Sequence, residues 1–559
     1  MHAPVARPRR RRSLSAFVAA LALVVALPAS TLGTSRHPNP SVAYVSLTAH
    51  AAGGRVVPLI NSGQTFDGEI FEGIPDGLGV VPVGQGQRYV DLYVAFEQSH
   101  VPFSGFADFE DSSVHRARLD LKTLQLTKLE EVLPPSAGFI RFCSAFMAGP
   151  EEGFRNYTLM VNEESNDVLD VPAGAPYGSD PALAPYRQAG YSVFLDTKTG
   201  AFDEIASLGR HNHENTVIVP GGWDDLVALS GDDTFDAPSS QLYLHLSADA
   251  EAFVADEGDL YAFQVTAGDA GPMNETQIAN PFNGANDYHE ISVGDTWRGR
   301  FIPVPDEIAR GTTGTAPQRA LEDWSNANNV FQFIRVEDLA YDPDNPNVVY
   351  FADTGERRAL TDAEWVALDT RGGTIDRSAT GRLHRGLSRV PADPNQAQIF
   401  PADPFGVHGN GRIFRMVLNA DNPLAVDSFS VVHDADTTLA DGVNRMRNPD
   451  NLDVGLSSIM VQEDTSDAKI WRYALDTGTW THVGTVTHPT NPSAGESSGI
   501  IDMSEWLGPG WWALDVQSHV NLPGTQGPFT YRVPITGAQI TYNARREDGQ
   551  LLLMQVPGS

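Results

Sequence analysis

His211-Asn212-His213-Glu214 leads into the run Thr216-Val217-Ile218-Val219, Pro220-Gly221-Gly222 turns the chain, and Leu226-Val227-Ala228-Leu229 runs into Gly231-Asp232-Asp233. Two apolar runs joined by a Pro/Gly turn read as an antiparallel hairpin. The start of the first strand and the end of the second then lie on the same rim. A polar head and an acidic tail therefore meet at one end of the hairpin.

The pattern recurs five more times. Ile74-Pro75-Asp76-Gly77 leads to Tyr93-Val94-Ala95-Phe96-Glu97, and Arg141-Phe142-Cys143-Ser144 to Leu159-Met160-Val161-Asn162-Glu163-Glu164. Arg335-Val336-Glu337-Asp338 leads to Val348-Val349-Tyr350-Phe351-Ala352-Asp353. Asn448-Pro449-Asp450-Asn451 leads to Ile459-Met460-Val461-Gln462-Glu463-Asp464, and Glu496-Ser497-Ser498-Gly499 to Trp511-Trp512-Ala513-Leu514-Asp515. Third strands follow at Tyr191–Leu195, Gln241–Leu244 and Lys469–Tyr473, with fainter fourth strands such as Thr481–Val486. Four strands per repeat is the arithmetic of a propeller. The expectation is an all-β, six-bladed β-propeller with inserted loops and short helices, its hairpin ends lining a carboxylate-rich mouth.

The chain has 559 residues and a formal charge of −33, which argues against nucleic acid and anionic membrane as partners. A small anionic substrate would need local positive charge, and bound cations would supply it. Residues 1–33 read as an export signal: Arg9 to Arg12 are basic, Leu14 to Leu27 are apolar, and Pro28-Ala29-Ser30 follow. Arg11-Arg12-Ser13-Leu14 also fits a twin-arginine signal, and an ordinary secretory signal fits equally. The apolar run is too short to span a membrane, so no stable membrane insertion is expected, and the protein is read as exported: periplasmic, cell-surface or secreted. Residues 34–54 are expected to be loose, and 55–559 to form the propeller, with insertions near 285–320 and 358–407. Strands at Phe529–Val533 and Leu551–Val556 are expected to close the ring with one near Val56–Leu59. A monomer is expected.

Crowded carboxylates repel unless cations lie between them. Oxygen-rich sites suit calcium, and a thiolate added to them admits a transition metal. Cys143 is the only cysteine, so the chain has no internal disulfide. It is either a small buried hydrophobe or a thiolate ligand. Arg335 offers a planar fork to a phosphate, or a salt bridge to a neighbouring acid. His211 and His213 read either as ligands or as hydrogen-bonded structural histidines. No P-loop or His-Glu-x-x-His is present, which removes support for those enzyme classes.

At these residues the sequence resembles the exported alkaline phosphatases of the PhoX type, six-bladed propellers with an iron–calcium cluster at the mouth. Cys143 with Glu163-Glu164 is similar to that family's cysteine and Glu-Glu pair, and Gly209-Arg210-His211-Asn212-His213-Glu214 to its Gly-Arg-x-x-His-Glu element. Arg335-Val336-Glu337 stands where the family has Arg-Pro-Glu, and Pro449-Asp450-Asn451-Leu452 matches its Pro-Asp-Asn-Leu. The resemblance implies a phosphomonoesterase acting on a small phosphorylated substrate. It implies iron held by Cys143, Glu214, Glu337 and Asp450, calcium held by Glu163, Glu164, Asp232 and neighbouring acids, and a phosphate-clamping Arg335. Two departures stand out: Val336 replaces proline, and Phe96-Glu97-Gln98-Ser99-His100 replaces an asparagine-rich strand end that helps the family hold phosphate. Two other readings remain at this stage, a calcium-dependent propeller lactonase or esterase, and a non-catalytic binding propeller stabilised by metal.

Overall fold

The hairpin that opens at His213 forms as read. His213–Val219 pairs antiparallel with Leu226–Asp232, placing Thr216 opposite Ser230 and Val219 opposite Val227. Both strands are buried almost throughout, as continuous apolar runs require. Leu242–Ser247 and Asp259–Gly268 complete a four-stranded meander. The structure, a computed structural model, describes residues 36–559 apart from 85–87, 103–109, 235–239, 280–287, 289–290, 356–358, 361–387, 390–409, 436–445 and 493–494.

Among the described residues the chain is nearly all-β, and the meander recurs. Its first, innermost strands are Pro75–Val83, Phe142–Ala148, His213–Val219, Val336–Asp342, Pro449–Val454 and Glu496–Asp502. Each inner strand touches the next, and the last touches the first, so they form a closed circuit with a propeller-like arrangement. The circuit is tight enough to need glycine. A Cβ on Gly77 would lie 2.5 Å from the Ala145 nitrogen and the Cys143 oxygen, and one on Gly499 would lie 2.2 Å from the Asp76 oxygen.

The meanders pack through apolar faces. Between the third and fourth, Phe263, Phe331, Phe333, Phe351, Phe414 and Phe429 form one aromatic core, with Phe351 and Phe414 stacked at 5.3 Å. Trp297–Pro303 lies between Asp259–Gly268 and Asn422–Asp434 and joins these two meanders into one sheet. That strand comes from the expected insertion near 285–320, which also supplies the helix Pro317–Ala327.

Closure is partly as expected. Glu547–Gln555 pairs with Trp511–Asn521 on one side and with Arg55–Asn61 on the other, so a strand from near the N-terminus finishes the last meander. Gln526–Arg532, expected to help close the ring, pairs instead with Gln539–Ala544 as a separate hairpin. These two strands are largely exposed, and Phe529 and Tyr531 face Tyr542 and Ile540 within their own hairpin. Residues 34–54, expected to be loose, contribute Val45–Leu47, which pairs with Gly484–Val486. The expected signal, residues 1–33, lies outside the described residues, as does nearly all of the insertion at 358–407. No helix among the described residues is long and apolar enough to cross a membrane.

Candidate metal centre

One local device repeats at the mouth. The carbonyls of Ile74, Arg141, Asn212, Arg335 and Asn448 accept hydrogen bonds from the backbone N–H groups of Glu97, Glu164, Asp233, Thr354 and Asp464, at 2.9, 2.9, 2.9, 3.1 and 2.9 Å. Each bond ties the head of an inner strand to the tail of its neighbour. Two residues beyond each head stand Asp76, Cys143, Glu214, Glu337 and Asp450, all buried. Five of the six meanders thus deliver one side chain with a potential ligand atom each to a common centre.

These groups converge. Asp76, Glu97 and Cys143 place ligand atoms within 4.8 Å of one another, as do Cys143, Glu164 and Glu214, and Glu214, Glu337 and Asp450. Cys143 links the first two triads and Glu214 the last two. A polar girdle supports them. Ser144 Oγ donates to Glu214 Oε1 at 2.6 Å, and Asn451 Nδ2 donates to Ser144 Oγ at 2.7 Å and to Asp76 Oδ1 at 3.3 Å. Ser498 Oγ and Gln517 Nε2 each donate to Asp76 Oδ2 at 2.9 Å.

The electrostatics are those of a centre built for cations. Burial, then the neighbouring acids, push Glu164, Glu214 and Asp450 well above the usual carboxylate range. Glu337 rises likewise, against the opposing pull of Arg335. Burial and Glu97 take Asp76 up to about 7. Burial also raises the Cys143 thiol, and the surrounding carboxylates raise it further. Glu214 Oε2 and Asp450 Oδ1 are buried with no hydrogen-bond partner among the described residues. Carboxylate oxygens left unmatched beside a thiol fit one or more metal ions, which would offset the repulsion and ligate the thiolate.

Cations of the protein surround the acids. Arg335 grips Asp233 with two parallel bonds, Nε to Oδ1 at 2.8 Å and Nη2 to Oδ2 at 2.7 Å, and reaches Glu337 Oε1 at 3.2 Å. Arg141 lies 3.9 Å from Glu97. His519 bridges Glu496 at 3.0 Å and Glu547 at 3.1 Å. Burial opposes charge on His519, but the two carboxylates outweigh it and raise the ring up to about 11. All three cations line a cavity of about 380 Å³ that opens onto Cys143, Glu164, Glu214, Glu337 and Asp450. A larger hollow of about 470 Å³, between Asn61–Gln64 and Leu522–Gln526, gathers no such triad among the described residues.

Of the residues singled out from the sequence, Cys143, Glu164, Glu214, Arg335, Glu337 and Asp450 come together at this cavity, and Glu163 and Asp232 do not. Both Glu163 oxygens are engaged by Arg187, at 2.7 and 2.8 Å, and they also accept from the Ile140 and Tyr191 backbones. Asp232 accepts from Thr234 at 2.7 Å and Gln318 at 3.4 Å, while the adjacent Asp233 takes Arg335. His213 bonds Ser230 and the Gly209 carbonyl, and His211 stacks on it at 3.6 Å, so neither ring lines the cavity. Asp76, Glu97, Arg141 and His519 were not singled out, although Asp76 occupies the same station after its strand head as Cys143 does.

The sequence model of the family described as alkaline phosphatase PhoX matches residues 151–503, more than half of the chain. No curated protein sequence matches it. Among solved structures, Pseudomonas fluorescens PhoX in complex with vanadate, a transition-state analogue, aligns over 94% of this chain and 98% of that one, with a TM-score of 0.57 at 14% identity. That likeness is one of fold. The PQQ-bound aldose sugar dehydrogenase of Streptomyces coelicolor covers 89% of this chain and 99% of its own, but at a TM-score of 0.26 and 9% identity the match carries no weight.

Proposed function

The chain belongs to the alkaline phosphatase PhoX family, and on that premise we propose that it hydrolyses phosphomonoesters in the cavity lined by Cys143, Glu214, Arg335 and Asp450. The observation that carries the reading is the pair of triads joined at Glu214, with Arg335 fixed alongside by Asp233. We read the meanders as the blades of a six-bladed ring. The thiolate donor favours iron with Cys143, Glu214, Glu337 and Asp450, and the oxygen donors around Glu164 favour calcium. Glu163 and Asp232, engaged elsewhere, are left out of both sets. When bound, the cations would polarise phosphoryl oxygens and balance the charge that develops on them.

The protein's own groups bind and orient. Arg335 presents a guanidinium whose plane is locked by its two bonds to Asp233, so little rotamer entropy is lost when phosphate meets it. The polar girdle holds Asp76 and Glu214 in fixed rotamers. We also propose export of the protein, from the composition of residues 1–33. Nothing at the cavity favours the lactonase or the non-catalytic reading.

The test is hydrolysis of p-nitrophenyl phosphate by metal-loaded protein, with elemental analysis of the same sample. Iron and calcium are expected, and Arg335→Ala should lose most of the activity, on the order of 100-fold or more. Metal-replete protein that is inactive on a panel of phosphomonoesters ends the reading.

A further inference from the structure

The repeat gives Arg335 a counterpart. Arg335 heads the inner strand Val336–Asp342, two residues before Glu337, and its carbonyl accepts from Thr354. Arg141 heads the inner strand Phe142–Ala148, two residues before Cys143, and its carbonyl accepts from Glu164 in the same way. Both guanidinium side chains line the one cavity, and Arg141 is only 12% exposed. The inner strand His213–Val219 lies between theirs and touches both. It carries Glu214, the group that joins the triads containing Cys143 and Glu337. The two arginines therefore stand at the same station, one on each side of the strand that carries Glu214.

Arg141 is also held there at a conformational cost. Its φ is +50°, in the left-handed region that most side chains avoid. The equivalent heads Ile74 and Asn448 share that conformation, at +52° and +47°, so the station itself imposes it. The charge has work on this side of the cavity. Glu97, Asp167 and Glu496 line the wall near Arg141, and a phosphate dianion entering beside them would be repelled. His519 bridges Glu496 to Glu547, and Arg141 lies against Glu97.

We propose that Arg141 is a second phosphate-binding arginine, which takes the substrate's phosphoryl oxygens from the other side of Glu214. The inference rests on the phosphomonoesterase reading and adds a specificity-determining residue to it. Two guanidinium groups lining one cavity select a compact, multiply charged phosphomonoester dianion. They discriminate against diesters, which present one charge and a second bulky substituent.

The test uses the metal-loaded full chain and two variants, Arg141→Asn and Arg141→Lys. Asparagine removes the charge at a φ it accepts, so the fold is expected to survive. Calorimetry measures inorganic phosphate binding, and steady-state kinetics give KM and kcat for p-nitrophenyl phosphate. Arg141→Asn is expected to weaken phosphate binding and raise KM by about tenfold or more, the effect of losing a charge-assisted contact, with the metal content unchanged. Arg141→Lys should recover part of that loss. The proposal is overturned if Arg141→Asn binds phosphate within about twofold of wild type, if lysine restores nothing, or if wild type binds no phosphate. It is also overturned if the asparagine variant loses metal, because the arginine would then serve the cluster and not the substrate. Wild-type turnover is a separate readout. An active wild type with an unaffected variant removes this inference alone, and an inactive wild type removes the phosphomonoesterase reading itself.

Discussion

Glu163 and Glu164 are chemically identical neighbours with opposite fates. Glu163 is fully buried and its carboxylate meets the Arg187 guanidinium at 2.7 Å, inside a cage formed with Tyr177 and Tyr191. Glu164 faces the cavity beside Cys143 and Glu214. The two glutamates therefore separate folding from metal binding. Glu163→Gln leaves a buried guanidinium without its counter-charge and is expected to cost about 3–5 kcal/mol of stability. Glu164→Gln removes a like charge from a repulsive cluster, so the metal-free fold should lose little, but the protein should bind less metal. Chemical denaturation and elemental analysis of both variants check this pair. Equal metal loss in both would break the distinction.

At the scale of the strand, what separates such neighbours is parity. Side chains alternate along a strand, so one residue's slip moves an acid from the mouth into the sheet. Asp353 and Glu463 stand, like Glu163, one residue before the mouth-facing position. They bind the backbone N–H groups of Ile334 and Arg447 at 2.9 and 2.8 Å, as Glu163 binds Ile140. Acidic strand ends were legible in the sequence, as were the hairpins and the ring they imply. Which acid of each pair faces the mouth was not, because parity depends on irregular pairing, as between Val161 and Glu163 or between His213 and Thr216. Counting from the strand heads would have worked better, since the second residue after each head supplies Asp76, Cys143, Glu214, Glu337 and Asp450. Arg141 was legible as part of a polar cluster, but its cavity-facing role depends on a neighbouring meander's Glu97. The inner strands also fix how closely the ligands approach. Gly77→Ala would place a methyl group 2.5 Å from the backbone of the adjoining inner strand. It is expected to cost about 1–3 kcal/mol and to pull Asp76 away from Cys143. A lower melting temperature together with reduced metal content would confirm both effects, and an unchanged melting temperature would contradict the close approach.

The whole molecule carries a formal charge of −33, and its ring of meanders turns many acids inward. Buried carboxyls whose desolvation outweighs their partners make stability depend on pH in an unusual direction. Asp353 is fully buried, and burial takes it up to about 7 despite hydrogen bonds from the backbones of Ile334, Gly355 and Arg335 and the pull of Arg412. Its folded pKa thus lies above the unfolded value near ~3.9. The folded state holds the proton more tightly, so the stability linked to this group is complete below about pH 4 and is lost as the pH rises through about 7. Glu204, raised to about 8 by burial and then by Asp203, works in the same direction. Asp353 is therefore expected to contribute on the order of 2–4 kcal/mol more stability at pH 5 than at pH 8. Asp353→Asn has no proton to lose, so it should flatten the profile by that share. A set of melting curves between pH 4.5 and 8.5, on wild type and Asp353→Asn at constant metal and salt, measures it. Wild-type and variant profiles that coincide in shape would show that Asp353 is charged in the fold throughout.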